Sequence, residues 1–269
     1  MNKKTFLLGV GAQKAGTSWL YEYLLEKKNA HRGFAKEYHV WDALYIPECK
    51  KPFEVKMTFP LPPIETRKRW LMQKSRWYYF YYFRSLLDSP GITITSDITP
   101  AYSGLNRNIL LEIKNSFLKY GITTKVVFLM RDPVNRCSSL VAMNKHRGFI
   151  DKNVDHNDYI RKIYGNRSCE FRTRYDATIK ELEFAFAPDD IYYGIYEEMF
   201  ETDKIVKLSE FLGVETDSDF GNKIVNFSPK LSFDEGIKRV IAAHYRETYE
   251  FVVKRFPQTK KLWEGFRYI

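Results

Sequence analysis

The chain has 269 residues, 44% of them hydrophobic and 28% charged, and 43 Lys and Arg against 33 Asp and Glu leave a net charge of +10. A chain of this length can bury roughly 70–75% of its unfolded surface, and 20 Phe, 19 Tyr and 5 Trp exclude a disordered coil. Cys49, Cys137 and Cys169 are odd in number and widely spaced with no C-x-x-C pair, which excludes a disulfide scaffold and predicts reduced thiols in a cytosol-like setting.

No run approaches the ~18 apolar residues of a spanning helix. Lys3 and Lys4 before Phe6–Ala12 imitate the start of a secretory signal. That stretch holds Gly9 and Gly11 and runs directly into a glycine loop that cleavage would damage, so it is read as a first buried strand. Further apolar runs predict strands at Ile92–Thr95, Lys125–Met130 and Ile191–Ile195. Helical spacing lies between them: Leu20, Tyr21, Leu24 and Leu25, then Leu110, Ile113 and Phe117, then Ile205, Leu208, Phe211 and Leu212. Strands alternating with helices predict an α/β fold, a mostly parallel central sheet with helices on both faces and ligands at the carboxyl ends of the strands.

Two stretches break this rhythm. Residues 43–90 hold Pro47, Pro52, Pro60, Pro62 and Pro63 and then the aromatic run Trp77–Phe83, predicted as a helix with Trp77, Phe80 and Tyr81 on its core face. Residues 144–170 are polar and mixed in charge. Both are predicted to be acceptor-side excursions from a single domain spanning residues 1–269, since no linker or repeat divides the chain.

Chemistry first enters at Gly11-Ala12-Gln13-Lys14-Ala15-Gly16-Thr17-Ser18, between the first strand and a helix starting near Trp19. Loop amides and a helix N-terminus aimed at one place form an anion site. Gly11 and Gly16 have the spacing of a Walker A loop, yet Thr17 stands where that loop has lysine, and the only lysine is Lys14. The candidate strand Lys125–Met130 also ends in Arg131 rather than a metal-binding carboxylate. These departures disfavour a kinase and favour metal-free group transfer from a diphosphate-like donor.

The segment Lys14–Trp19 resembles the 5′-phosphosulfate loop of the sulfotransferases that use 3′-phosphoadenosine 5′-phosphosulfate (PAPS). The resemblance implies that Lys14 contacts the transferring sulfuryl group and that Gly16, Thr17 and Ser18 hold the 5′-phosphate, with backbone amides from Ala15 and Trp19. Arg131-Asp132-Pro133, with Ser139 eight positions after the arginine, is similar to the family's 3′-phosphate motif. That likeness assigns Arg131 and Ser139 to the 3′-phosphate. Lys36-Glu37-Tyr38-His39-Val40-Trp41-Asp42 resembles a segment of the carbohydrate (heparan-sulfate-type) and bacterial sulfotransferases in which the glutamate is the general base. Glu37 is therefore the first candidate for the base and His39 its competitor, as both residue types can take a hydroxyl proton. Lys36 and Asp42 are candidates to contact acceptor or cofactor, or to orient the base.

Ser96–Tyr102 is similar to another family segment, with Asp97 as its acid, a candidate for acceptor binding, and Ile98 in place of a lysine. Tyr196-Glu197-Glu198-Met199 and Leu212-Gly213-Val214 read as scaffold. Phe233–Arg239 is weakly similar to a loop closing on adenosine, which would bring Lys238 or Arg239 near the 3′-phosphate. The expectation is a cytoplasmic sulfotransferase that uses PAPS, needs no metal, releases adenosine 3′,5′-bisphosphate and modifies a hydroxyl, by resemblance a carbohydrate hydroxyl, with neither nucleic acid nor membrane as partner. The alternatives are a P-loop-type nucleotide or small-molecule kinase and a non-enzymatic anion or nucleic-acid binding protein.

Overall fold

Seven successive buried residues, Thr5–Gly11, form the central strand β1. In this computed structural model, which describes residues 3–151, 153–225 and 231–269, the other strands are β2 (Ala30–His31), β3 (Ile94–Ile98), β4 (Thr123–Met130) and β5 (Ile191–Ile195). All pair in parallel, in the order β2-β3-β1-β4-β5. Because β1 is buried along its whole length, both faces of the sheet are covered, the usual state of a parallel sheet.

The covering helices are α1 (Thr17–Leu25), α2 (Trp41–Tyr45), α3 (Pro47–Phe53), α4 (Ile64–Lys74), α5 (Arg76–Leu87), α6 (Arg107–Leu118) and α7 (Pro133–His146). They continue as α8 (His156–Ile163), α9 (Arg167–Glu170), α10 (Tyr175–Ala185), α11 (Thr202–Leu212), α12 (Glu235–His244), α13 (Arg246–Arg255) and α14 (Thr259–Leu262). Their starts follow local chemistry. Asn106 accepts from the Asn108 and Ile109 amides to cap α6, and Asp132 accepts from Val134 N ahead of Pro133, which opens α7. Gly213 ends α11 at φ 69°, a left-handed position that glycine adopts without a Cβ penalty. No helix among the described residues is long and apolar enough to cross a membrane.

Three expectations shift. β3 begins two residues later than the predicted strand and runs on through Ser96 and Asp97. The Ile92 and Thr93 amides are taken by the carbonyls of Ser89 and Asn29, while the polar end of the strand finds side-chain partners in the interior. The short edge strand β2 carries no apolar run and was not predicted. On α5 the buried residues are Tyr79, Phe80, Tyr82, Phe83 and Leu87, so the core face is rotated from the expected one. Trp77 and Tyr81 are 62% and 48% exposed and stack on each other at 5.0 Å. Phe80 and Phe83 instead join Phe6 and Phe117, whose rings stack at 4.0 Å between the sheet and α6. Each such ring contributes about 1.5–3 kcal/mol by burial.

The chain direction of this sheet locates the site. From β1 the chain moves outward to β2 and returns through β3, then crosses to β4 on the other side of β1. In open parallel sheets the crevice at such a reversal, at the carboxyl ends of the strands, is where ligands bind. Here it lies between the ends of β1 and β4, followed respectively by the glycine loop and by Arg131.

Candidate active site

The loop after β1 is shaped by two glycines. Gly11 has φ 124°, and a Cβ there would lie 2.8 Å from the Pro100 carbonyl. Gly16 caps α1 at φ 95°, where a Cβ would meet the Met199 sulfur at 2.7 Å. Lys14 also has a positive φ, 70°, and His39 has 51°; they are the only non-glycine residues of that kind among the described residues. Such backbone costs on the order of 1–3 kcal/mol and concentrates at functional sites. Both residues line the same cleft, of about 1110 Å³.

The first-turn amides of α1 at Thr17, Ser18 and Trp19 have no helical acceptor and face this cleft, as helix N-termini do. Ala15 is different. It is fully buried and its amide donates to the Ala12 carbonyl at 3.2 Å, a bond that closes the loop. Trp19 lines the cleft with its ring stacked on Tyr23, and its indole N–H donates to the Phe220 carbonyl. From β4, Arg131 donates to the Lys14 carbonyl at 3.1 Å and lies over the Tyr196 ring. Ser139, two turns along α7, lines the cleft with it. Burial, followed by the charges of Arg131, Arg147 and Lys36, pulls the Lys14 ammonium down to about 8.

Asp132, beside Arg131, holds the loop end in place. Its carboxylate is buried and accepts from the amides of Val134 and Gly265 and the hydroxyl of Tyr249. Glu197 accepts from Asp132 N and from the Trp263 indole, so the C-terminal residues clamp the start of α7.

Opposite the loop, the segment 36–42 lies along the end of β3. Ile98 N donates to the Lys36 carbonyl and Tyr38 N to Thr99 Oγ1. Glu37 Oε2 is 3.2 Å from His39 Nε2, and His39 Nδ1 is 2.7 Å from Asp42 Oδ2. Burial alone would raise the Glu37 pKa, but the hydrogen bond from His39 and the charge of Lys36 bring it down to about 2. Burial likewise opposes the His39 charge, and its bonds to Asp42 and Glu37 overcome this and lift its pKa to about 9. At neutral pH the pair is therefore carboxylate and imidazolium. Helices α3 and α4 support it from behind: the Phe53 ring stacks on His39 at 3.7 Å, Gln73 donates to the His39 carbonyl and Arg69 to the Glu37 carbonyl.

The remaining expected residues separate into those that face the cleft and those that do not. Lys36 faces it, donating to Ser18 Oγ at 2.8 Å and Glu37 Oε1 at 2.9 Å, so it bridges loop and base. Asp42 is fully buried against His39 and does not line the cleft; it orients the imidazole instead of touching an acceptor. Asp97 is also fully buried and is held by Tyr79, Tyr102 and Thr99 at 2.9, 2.8 and 2.6 Å. Burial pushes its carboxyl up to about 6, and it is a core residue with no path to an acceptor. Lys238 and Arg239 lie on helix α12 outside the cleft, and Lys238 is paired with Glu235 and Glu264. Glu235–Arg239 of the expected closing loop are thus helical, and among the described residues, 221–225, Leu231 and Ser232 line the cleft there.

Sequence reasoning missed Arg172, Phe53, Met143 and Arg147 as cleft residues. Nothing local marks them; Arg172 follows α9, far along the chain from the glycine loop that lines the same cleft. Among the described residues the two excursions supply little of the wall: Phe53 from 43–90, and His146 and Arg147 from 144–170. The cleft joins an anion-binding loop lined with cations to an ionised carboxylate held by an imidazolium, an arrangement suited to moving a negatively charged group onto a hydroxyl. No group of three or more metal-binding side chains occurs among the described residues.

Comparison with known proteins bears on the fold and the family. The fold is similar to that of a sulfotransferase from Alicyclobacillus acidocaldarius, at 17% identity over 94% of this chain and 96% of that one, with a TM-score of 0.62. Sulfotransferase domains from the curacin biosynthetic pathway (12% identity, 96% of this chain and 98% of that one, TM-score 0.49) and from the Synechococcus PCC 7002 olefin synthase (16%, 88% and 86%, TM-score 0.48) also match. No curated protein matches by sequence. The sulfotransferase domain family matches residues 4–247, nearly the whole chain. By that match, made over the glycine loop, the Glu37 segment and the Arg131 motif together, the chain belongs to the sulfotransferase family.

Proposed function

We propose that this sulfotransferase transfers the sulfuryl group of PAPS to a hydroxyl on a carbohydrate by in-line displacement, leaving adenosine 3′,5′-bisphosphate. The carrying observation is a single cleft with Lys14 and Arg131 on one wall and Glu37 on the other, tied to His39 and Asp42. The donor fits what the chain presents: first-turn amides without helical acceptors, and a lysine whose charge is opposed by burial and by neighbouring cations until an anion arrives. Bound there, the donor supplies a sulfuryl group on a phosphate leaving group.

In this reading Gly16, Thr17, Ser18 and Trp19 hold the 5′-phosphate side through backbone and hydroxyl groups, and Arg131 with Ser139 holds the 3′-phosphate. Lys14 and Lys36 stabilise charge growing on the sulfuryl and leaving oxygens, usually the largest electrostatic contribution to such catalysis. Glu37 takes the acceptor proton. With a pKa of about 2 it is a poor base toward a resting alcohol, so the proton moves late, once the attacking oxygen has become acidic. His39 stays protonated and holds the carboxylate, which makes it a positioning residue rather than the competing base. No step calls for a metal. The chain acts as one domain, and three free buried cysteines support a reducing, cytoplasmic setting.

The carbohydrate acceptor rests on the likeness of the Lys36–Asp42 segment to the carbohydrate sulfotransferases. The kinase and nucleic-acid alternatives draw no support from the family match. Calorimetric titration with adenosine 3′,5′-bisphosphate, ADP and ATP, with and without Mg²⁺, tests the donor. Tight metal-independent binding of the bisphosphate is expected; a preference for ATP with Mg²⁺ would overturn the reading.

A further inference from the structure

The cations around the cleft outnumber the carboxylates available to them. Lys36 is paired with Glu37 and Lys223 with Glu26. Lys14, Arg131, Arg147 and Arg172 also line the cleft, and none has an ion-pair partner among the described residues. The donor reading accounts for Lys14 and Arg131. It leaves two guanidinium groups unassigned.

Arg172 is the informative one. It is only 8% exposed, and a buried charge without a counterion is costly enough that folded proteins rarely keep one idle. Its Nη1 donates to the Ser168 carbonyl at 2.7 Å and to Ser168 Oγ at 2.8 Å, its Nη2 lies 3.4 Å from Cys49 Sγ, and its fork lies over the Phe171 ring. None of these partners is anionic, because burial pushes the Cys49 thiol up to about 11 and keeps it neutral. The contacts fix the group in position without an ion pair, and the buried Asp42 carboxylate acts on it through space and not by a hydrogen bond. The other deeply buried arginine, Arg136, differs: it faces the sulfurs of Cys169 and Cys137 and does not reach the cleft.

Both unassigned groups line the cleft together with Lys14, Glu37 and His39. The charge of Asp42, which orients His39, is felt at Arg172, and the charge of Arg147 is felt at Lys14. Arg172 follows α9 and Arg147 follows α7, so the two reach the cleft from different elements. Phe53 and Met143 add apolar wall to the same cleft.

We propose that the acceptor carries an oxyanion, a carboxylate or a sulfate monoester, near the hydroxyl that is modified, and that Arg172 and Arg147 bind it. The proposal rests on the assignment of Lys14 and Arg131 to the donor. A fixed, desolvated guanidinium fork binds such groups by charge-assisted paired hydrogen bonds. Acceptor binding thereby supplies the ion-pair partner that Arg172 and Arg147 lack among the described residues.

The test uses the full chain and ³⁵S-labelled PAPS with neutral alcohols, each offered beside its carboxylate and its sulfate monoester: glucosides with glucuronides and glucoside sulfates, and aliphatic diols with the matching hydroxy acids and monosulfates. The acidic members are expected to react with at least about ten-fold higher kcat/KM than their neutral partners. Arg147→Ala should lose most of that preference through KM, Arg147→Lys should restore part of it, and bisphosphate affinity should stay unchanged in both. Arg172→Lys, which keeps the charge but not the fork, should lower the preference as well. Equal or neutral-favouring rates, no labelled acidic acceptor while the bisphosphate binds, or weakened bisphosphate binding in Arg147→Ala would each overturn the inference. A wild-type chain that fails to bind the bisphosphate would overturn the donor reading first, and the inference with it.

Discussion

His39 donates from Nδ1 to Asp42, a carboxylate with no exposed surface, across 2.7 Å, so the imidazole is held from inside the protein while its other nitrogen meets Glu37. A chain of this kind fixes the Glu37 carboxylate and keeps it ionised. If Glu37 is the base proposed above, Asp42 acts on rate through His39 without lining the cleft.

Asp42→Asn should lower kcat by about 10–100-fold, the range typical of a lost supporting partner, with bisphosphate affinity retained. It should also move the pH profile. His39 is raised from 6.5 to about 9, so its contribution to stability is complete below pH 6.5 and disappears as pH rises through about 9. In the variant the loss should begin at lower pH, followed by kcat against pH and by melting temperature. An unchanged profile would make Asp42 a packing residue only.

Glu37→Gln should reduce kcat by about 10²–10⁴-fold, the usual value of a positioned general base. Bisphosphate binding, read by calorimetry, should persist. Loss of binding instead would assign Glu37 to the frame of the cleft.

For Lys14 the sign runs the other way. A lysine lowered from 10.5 to about 8 opposes folding while charged, below about pH 8, and that opposition fades as pH rises toward 10.5. Lys14→Met should therefore melt no lower than wild type at pH 7, lose bisphosphate affinity and lose about 10²–10³-fold in turnover. In the wild type, bisphosphate affinity should weaken above about pH 8 as the ammonium deprotonates. Affinity that is flat with pH across that range would contradict the assignment.

Gly16→Ala places a Cβ 2.7 Å from the Met199 sulfur at φ 95°. A cost of about 1–3 kcal/mol is expected from strain at such a position, together with weaker bisphosphate binding because the first turn of α1 must shift. Melting curves and calorimetry on one preparation read both effects.

Asp97→Ala would leave the hydroxyls of Tyr79, Tyr102 and Thr99 without their shared acceptor. A loss of about 1–3 kcal/mol per unsatisfied buried group is the expectation, seen as a lower denaturation midpoint. Asp97→Asn should recover part of it, and KM for the acceptor should not change in either folded variant, since Asp97 does not reach the cleft.

What the sequence determined by itself was whatever short-range pattern can carry. The apolar runs at β1, β4 and β5, the glycine spacing before Thr17 and the Arg131-to-Ser139 interval each encode a local conformation, and they sufficed to bring the loop, Arg131 and Ser139 to one cleft at the carboxyl ends of parallel strands. The tertiary structure alone decided how polar residues were divided between core and cleft. Asp97 looks like an active-site acid in sequence and became a core acceptor because Tyr79 and Tyr102 arrive from two other elements. Lys238 looks like a phosphate ligand and is neutralised by Glu264, 26 residues away. Arg172 has no motif, yet packing brings it into the cleft without an ion-pair partner among the described residues. The charge on a side chain is written in the sequence, whereas the energy of that charge depends on which partners and how much water long-range folding leaves beside it.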